Sequence, residues 1–251
     1  MKNFLSIIIL CRNEEQQIAT SLKSAQFAQE IIVIDSGSTD QTIKIAEKYT
    51  DKIYQTTFTD FSALRNLAKE KAHGNWLFYI DADEEITNQL AKEILSVIKK
   101  NQAEAGYFVK RENYYLGKKW PTVDRMQRLF RKDKLLNWFG KVHETARVAG
   151  KFGELKNYLL HRTHNNLEEM LSNTLVWSEF EAQARWEQKH PPIVWWRIFR
   201  VMLSAFFQSY IKQKSYKMKT EGLIESIYQA FSIFITYAKL WELQQKQHEI
   251  S

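Results

Sequence analysis

The chain is short of the residues that staple or break a fold. It has one cysteine, Cys11, so no intramolecular disulfide can form and a reducing, cytosolic compartment is expected. Eight glycines and three prolines in 251 residues exclude a collagen-like, low-complexity or disordered chain. No internal repeat is visible. Long apolar runs are also missing, since the uncharged stretches of the C-terminal part, Val201 to Ile211 and Ser226 to Tyr237, fall short of the roughly 20 residues a bilayer span needs. The apolar stretch after Lys2 is too short for the hydrophobic region of a signal peptide, so it reads as a first strand. Nothing near Cys11 in sequence would activate its thiol, which reads as a small buried hydrophobe.

What is plentiful is positive charge. The net charge is +7 and the pI about 9.2, which suits nucleic acid, anionic lipid or anionic glycolipid. No nucleic-acid-binding motif accompanies it. Between Ile193 and Thr220 stand Arg197, Arg200, Lys212, Lys214, Lys217 and Lys219 with no acidic residue, interleaved with Trp195, Trp196, Phe199, Phe206, Phe207 and Tyr210. That pattern is similar to a membrane-surface helix; the alternative is that these aromatics pack on the rest of the protein or join two copies.

The first hundred residues alternate apolar runs with amphipathic ones. Strands are expected at Leu5 to Leu10, Ile31 to Asp35, Lys52 to Gln55 and Trp76 to Ile80, and helices near Glu15 to Ala28, Thr39 to Lys48, Phe61 to Ala72 and Gln89 to Lys100. Such a βαβ series predicts an α/β fold with a mostly parallel central sheet flanked by helices, and a ligand crevice where Arg12, Asp35 and Asp81 emerge. Gly106 to Lys110 reads as a further strand, Pro121 to Gly153 as loop-rich. From Asn166 the pattern is helical, with Met170, Leu171, Leu175 and Phe180 on one stripe and Leu223, Ile227, Phe231, Phe234, Ile235 and Ala238 on another. Two domains are expected, 1–164 and a helical extension over 165–251.

The chemistry gathers at Asp81-Ala82-Asp83, which follows Trp76 to Ile80 and leads into Glu84-Glu85. Two aspartates one residue apart at a strand end can share a hard cation that also grips a diphosphate, or can simply open a turn or cap a helix. Asp35 closes the second strand in Asp35-Ser36-Gly37-Ser38-Thr39-Asp40. It reads as an acceptor for a base N–H or a ribose hydroxyl rather than as a turn residue. Arg65 can reach a diphosphate or be a solvated helix charge.

Leu10-Cys11-Arg12-Asn13-Glu14-Glu15, the Asp35 to Asp40 run, Arg65-Asn66, and Gly74-Asn75-Trp76 leading to Asp81-Ala82-Asp83-Glu84 resemble, in this order, the signature of family-2 glycosyltransferases with the GT-A fold. Arg128-Leu129-Phe130-Arg131, Gly140-Lys141-Val142-His143-Glu144 and His161 are similar to the branch that adds glucose to a heptose of the lipopolysaccharide inner core, the WaaE/KdtX kind. The resemblance implies an inverting, metal-dependent hexosyltransferase that uses UDP-glucose. It implies that Arg12, Asn13, Glu14 and Asp35 surround the uracil and ribose, that Arg65 lies near the diphosphate or sugar, and that Asp81 and Ala82 line the donor. Asp83, Asp81 and His161, with His164 as second choice, would hold Mg²⁺ or Mn²⁺. Glu144 would be the general base, while Arg128 and His143 would serve the acceptor or a phosphate. The partners implied are a UDP-sugar, a lipid-linked saccharide, the cytoplasmic face of the inner membrane and, as an open possibility, a second copy. A polyprenyl phosphate is the alternative acceptor, and a non-catalytic membrane-bound scaffold the alternative of another class. An aspartate-nucleophile phosphatase also places D-x-D after a strand, but there the motif usually comes first in the chain and is followed by Thr or Val, whereas here it is late and followed by Glu84-Glu85, which disfavours that reading.

Overall fold

In a computed structural model the described residues are 4–57, 60–100, 104–140 and 144–250. The chain divides into two compact units, Met1–Glu112 with Val123–His161, and Asn113–Thr122 with Arg162–Ser251.

The first unit opens with β1 (Leu5–Cys11), α1 (Ile18–Ser24), β2 (Glu30–Asp35), α2 (Thr42–Ala46), β3 (Ile53–Gln55), α3 (Phe61–Lys71) and β4 (Trp76–Asp81). Next come β5 (Glu84–Ile86), α4 (Asn88–Lys100), β6 (Gly106–Tyr115), β7 (Lys118–Arg131), β8 (Leu135–Phe139), β9 (Thr145–Val148) and β10 (Phe152–Arg162), with residues 113–115 of β6, 118–122 of β7 and Arg162 of β10 belonging to the second unit. The large sheet has the order β3-β2-β1-β4-β7-β6-β10-β5, and β8 pairs with β9 alone. Its β3-β2-β1-β4 part is parallel, while β7 joins β4 and β5 joins β10 in antiparallel fashion.

Every residue of β1 is buried, as a parallel strand covered on both faces requires. Its side chains alternate between two cores: Leu5, Ile7 and Ile9 pack with Ile18, Leu22 and Phe78, whereas Ile8 and Leu10 pack with Leu64, Tyr79 and Phe130. The start of β4 approaches β1 so closely that residue 74 has no room for a side chain. A Cβ there would lie 2.5 Å from Ser6 Oγ and 2.7 Å from Ser6 N. Gly74→Ala is therefore expected to cost about 1–3 kcal/mol, measured as a lower urea midpoint at unchanged m. An unchanged midpoint would show that the first strand shifts freely.

The stretch read above as loop-rich, Pro121 to Gly153, instead runs through β7, β8 and β9 into β10. The strand begun at Gly106 likewise continues to Tyr115. Both carry buried polar or charged residues where a strand signal needs apolar ones, Glu112 and Asn113 in β6 and Arg128 in β7, so the two-residue period is absent from the sequence.

The second unit contains α5 (Leu167–Glu187), α6 (Trp195–Phe207) and α7 (Lys219–Ile250). Asn166 caps α5, its side chain accepting from the Glu169 N–H at 2.9 Å. The expected apolar stripes are only partly the buried ones. In α5 Met170, Thr174, Ser178 and Ala182 are buried while Leu171 and Leu175 are exposed, and in α7 Leu223, Ile227 and Phe231 are exposed. Small and hydroxyl-bearing residues form the contact instead: Thr174 Oγ1 donates to the Tyr228 hydroxyl at 2.8 Å, and Ser226 shares hydrogen bonds with Ser209 and Ser215. Among the described residues no helix is long and apolar enough to cross a membrane.

Candidate active site

The register of the parallel strands assembles the site. Cys11 lies beside Asp35 and Leu10 beside Asp81, so the loops after β1, β2 and β4 leave the sheet together at its carboxyl edge. The first two loops are laced to each other. Asn13 sits at φ +55°, a conformation asparagine tolerates better than most residues. Its N–H donates to Ser38 Oγ at 2.8 Å and its Oδ1 accepts from the Thr39 N–H at 2.8 Å. The Glu14 N–H donates to Thr42 Oγ1 at 2.7 Å. Arg12 is exposed at the same edge.

Asp35 is tied into the turn that follows it. It is fully buried, and its carboxylate accepts from the N–H groups of Gly37 and Ser38 at 3.1–3.2 Å and from Ser38 Oγ at 2.5 Å. It therefore shapes its own turn, which passes through Gly37 at φ +99°, a value that favours glycine. Burial and the Asp35 carboxylate push the Cys11 thiol well above its ordinary pKa, which leaves it inert as a nucleophile.

At the end of β4 the dominant feature is a chain of ion pairs. Arg65, on the buried face of α3, donates from Nη2 to Asp81 Oδ1 at 3.1 Å and from Nε to Glu144 Oε1 at 2.7 Å. Its guanidinium carbon lies 5.0 Å from the Trp138 ring centroid and 5.8 Å from that of Tyr79. The neighbouring Asn66 ties α3 to β8, with its Nδ2 donating to Trp138 O and its Oδ1 accepting from Trp138 N, both at 2.9 Å. That clamp fixes the β8–β9 hairpin, and Glu144 stands one residue before β9. Arg128, reaching in from β7, donates from Nη2 to Asp81 Oδ2 at 2.9 Å and to Glu84 Oε1 at 2.6 Å. Arg111 continues the chain to Glu84 and Asp124 at 3.0 and 2.8 Å.

Burial favours the protonated form of Asp81, but the Arg128 and Arg65 guanidinium groups outweigh it and hold the carboxyl far below the usual range. Arg65 and Arg128, expected as contacts to phosphate or acceptor, are themselves buried and spend their N–H groups on protein carboxylates. Arg65 Nη1 and Arg128 Nε have no hydrogen-bond partner among the described residues.

Asp83 faces His161 of β10, with Oδ2 2.9 Å from Nε2. Burial lowers the imidazole pKa, and the Asp83 carboxylate more than reverses this. The two side chains keep 23% and 14% of their surface open. A carboxylate with an imidazole suits Mn²⁺, and Mg²⁺ is usually held by one or two carboxylates with substrate phosphates filling the shell. Among the described residues no cluster of three or more His, Cys, Asp or Glu has the arrangement of a metal site. The protein thus offers a partial ligand set, which fits a cation brought in with a diphosphate. Asp81 is less suited to direct ligation because both its oxygens are already held by arginines.

Ala82 is buried, its N–H donating to Leu10 O at 3.0 Å. His164 belongs to the second unit and pairs with Glu225 Oε2 at 3.1 Å. His143 lies outside the described residues. Sequence reasoning missed Glu84, whose Oε2 accepts from the Asp81 N–H at 3.0 Å and so braces the acidic turn, together with Arg111 and the Asn66 clamp. The signal available for Glu84 was its place three residues after Asp81, the spacing of a side chain folding back on its own turn.

Residues 6–150 match the family model described as Glycosyl transferase family 2. The chain is 26% identical to the lipopolysaccharide core biosynthesis glycosyltransferase LpsC of Rhizobium meliloti, over 95% of this chain and 92% of LpsC. It is 24% identical to an uncharacterized glycosyltransferase of Rickettsia conorii, over 98% and 93%. Among solved structures, a crystal structure of Staphylococcus aureus TarS 1-349 in complex with UDP superposes with a TM-score of 0.50 at 15% identity, covering 97% of this chain and 92% of that one.

Proposed function

The chain belongs to glycosyl transferase family 2 and has the GT-A fold, and from that premise we propose that it moves glucose from UDP-glucose, with inversion to a β-linkage, onto a heptose of the lipopolysaccharide inner core. The observation that carries the mechanism is the Arg65 bridge, which bonds Asp81 and Glu144 into one unit at the carboxyl edge of the sheet. The likeness to LpsC supports the acceptor class.

In this reading Glu144 takes the proton of the acceptor hydroxyl while that oxygen forms its bond to the anomeric carbon. The bond from that carbon to the diphosphate oxygen breaks, and UDP leaves with the electron pair. Arg65 orients the Glu144 carboxylate and places a fixed positive charge at the edge where the diphosphate would lie. Asp81 meets the ribose, while the loop carrying Arg12 and Asn13, laced to the turn that Asp35 shapes, borders the uracil. Asp83 and His161 would hold Mg²⁺ or Mn²⁺, which when bound offsets the charge of the departing diphosphate. The acceptor is presented by a lipid, so the enzyme works as a peripheral protein at the cytoplasmic face of the inner membrane.

The test is Mn²⁺-dependent binding and slow hydrolysis across UDP-glucose, UDP-galactose, UDP-N-acetylglucosamine and GDP-mannose, with Asp83→Ala as control. UDP-glucose is expected to bind selectively, and Asp83→Ala to weaken that binding by about tenfold or more, as loss of a metal-site residue does. Preference for another sugar nucleotide would discard glucose as donor. Binding that ignores Asp83 would remove the metal from the scheme.

A further inference from the structure

The α6 helix has an apolar side that nothing in its own unit covers. None of its residues is buried, and only its inner side, through Ile198 and Val201, leans on the cluster of Ala182, Ile193, Tyr237 and Leu240. Outward point Trp195, Trp196, Phe199, Leu203 and Phe207, and the line continues to Ile211 in the wide turn Gln208–Lys212. Trp195 is 75% exposed and Phe199 61%. With residues mostly four apart, this is a single stripe about 24 Å long at 1.5 Å per residue.

The charges beside the stripe say what covers it. Six basic residues and no acidic one lie between Ile193 and Thr220. Arg197 and Arg200 stand near the N-terminal end of α6, whose first turn has no acidic residue, although the helix dipole disfavours cations there. Arg197 is explained locally, since its Nη1 donates to the carbonyls of Pro191 and Pro192, both at 3.1 Å. Arg200, exposed with its guanidinium carbon 5.8 Å from the Trp196 ring centroid, gains nothing from the helix and is placed for an anion outside it. A two-fold contact between copies would bring these like charges together, whereas an anionic bilayer surface complements them while its interface takes the Trp and Phe rings.

We propose that α6 and the turn after it form a docking surface that lies in the plane of an anionic lipid bilayer, with the Trp195-to-Ile211 stripe in the interface and Arg200 and Lys212 on lipid phosphates. The surface is built from second-unit residues alone, so it stands or falls separately from the donor and acceptor assignments.

The test is sedimentation of the full chain with vesicles of phosphatidylcholine alone and of phosphatidylcholine mixed with phosphatidylglycerol. The chain is expected to bind the mixed vesicles and to release as salt is raised. Phe199→Ser with Leu203→Ser should lower the partition by about tenfold or more. Arg200→Gln with Lys212→Gln should lower it about fivefold per charge, on the mixed vesicles only. All four residues are exposed, so circular dichroism and the melting temperature of both double variants should match the parent. Failure of the parent to bind mixed vesicles, or equal binding by Phe199→Ser/Leu203→Ser, overturns the proposal. A dimer seen by light scattering without lipid and dissolved by that same pair would assign the stripe to a second copy and overturn it as well.

Discussion

Glu144→Gln is expected to lower kcat by about 10²–10⁴ while donor affinity stays within about threefold, the span that a positioned general base contributes. The substitution is a narrow one in this setting. Glu144 Oε1 accepts from Arg65 Nε at 2.7 Å, and glutamine presents an oxygen of the same reach, so the Arg65 bridge to Asp81 persists. What the amide cannot do is accept a proton from the acceptor hydroxyl. Oε2 receives none of the hydrogen bonds found among the described residues, and 17% of the side chain is open. A hydroxyl can therefore approach the oxygen that Arg65 leaves. Turnover and equilibrium binding of the donor, measured on the same preparation, separate the two halves. Near-normal kcat with intact binding would place the base elsewhere. Loss of binding together with kcat would make Glu144 a structural partner of Arg65.

The sequence carried the strand positions of the N-terminal half because a parallel sheet writes itself as separate apolar runs. Leu5 to Leu10, Ile31 to Asp35 and Trp76 to Ile80 coincide with β1, β2 and β4 to within a residue. It also carried the meeting of Asp35 and Asp81 at one sheet edge, since both close their strands in register with β1. What it could not carry was the partnership of charges. Arg65 and Arg128 lie 63 positions apart (128 − 65) and meet only because β7 lies beside β4 and α3 turns its Arg65 face inward. An arginine in isolation reads as a phosphate contact, and no local pattern shows that two of them share one aspartate. The same blindness hid β7 itself, where Arg128 occupies a core position that a pattern reader assigns to a loop. In the tail, Thr174, Ser226 and Thr236 are buried where the apolar stripes point outward, because small hydroxyl side chains let helices approach and find partners in the contact.

Arg128→Met is expected to destabilise the protein by about 3–5 kcal/mol at neutral pH, the cost of removing one partner from a buried ion pair. Arg128 is 1% exposed, and burial alone would lower its pKa. The carboxylates of Asp81 and Glu84 push it well above the ordinary value instead, so both sides of the contact are charged and depend on each other. Methionine fills much of the volume but leaves Glu84 to Arg111 and Asp81 to Arg65. The pH dependence follows from the sign of the Asp81 shift. A carboxyl held below its ordinary value of 3.8 contributes stability that is present above that value and is lost as pH falls through the folded pKa. The variant has given up much of that contribution, so the gap between parent and variant should be full at pH 7 and narrow progressively as pH falls below about 4, over the range where Asp81 of the variant takes up a proton while that of the parent stays ionised. Urea unfolding at both pH values reads the difference directly. A loss under about 1 kcal/mol at pH 7, typical of exposed pairs, would mean that solvent at the open 32% of the Asp81 side chain screens the contact and that the arginines serve the ligand rather than the fold.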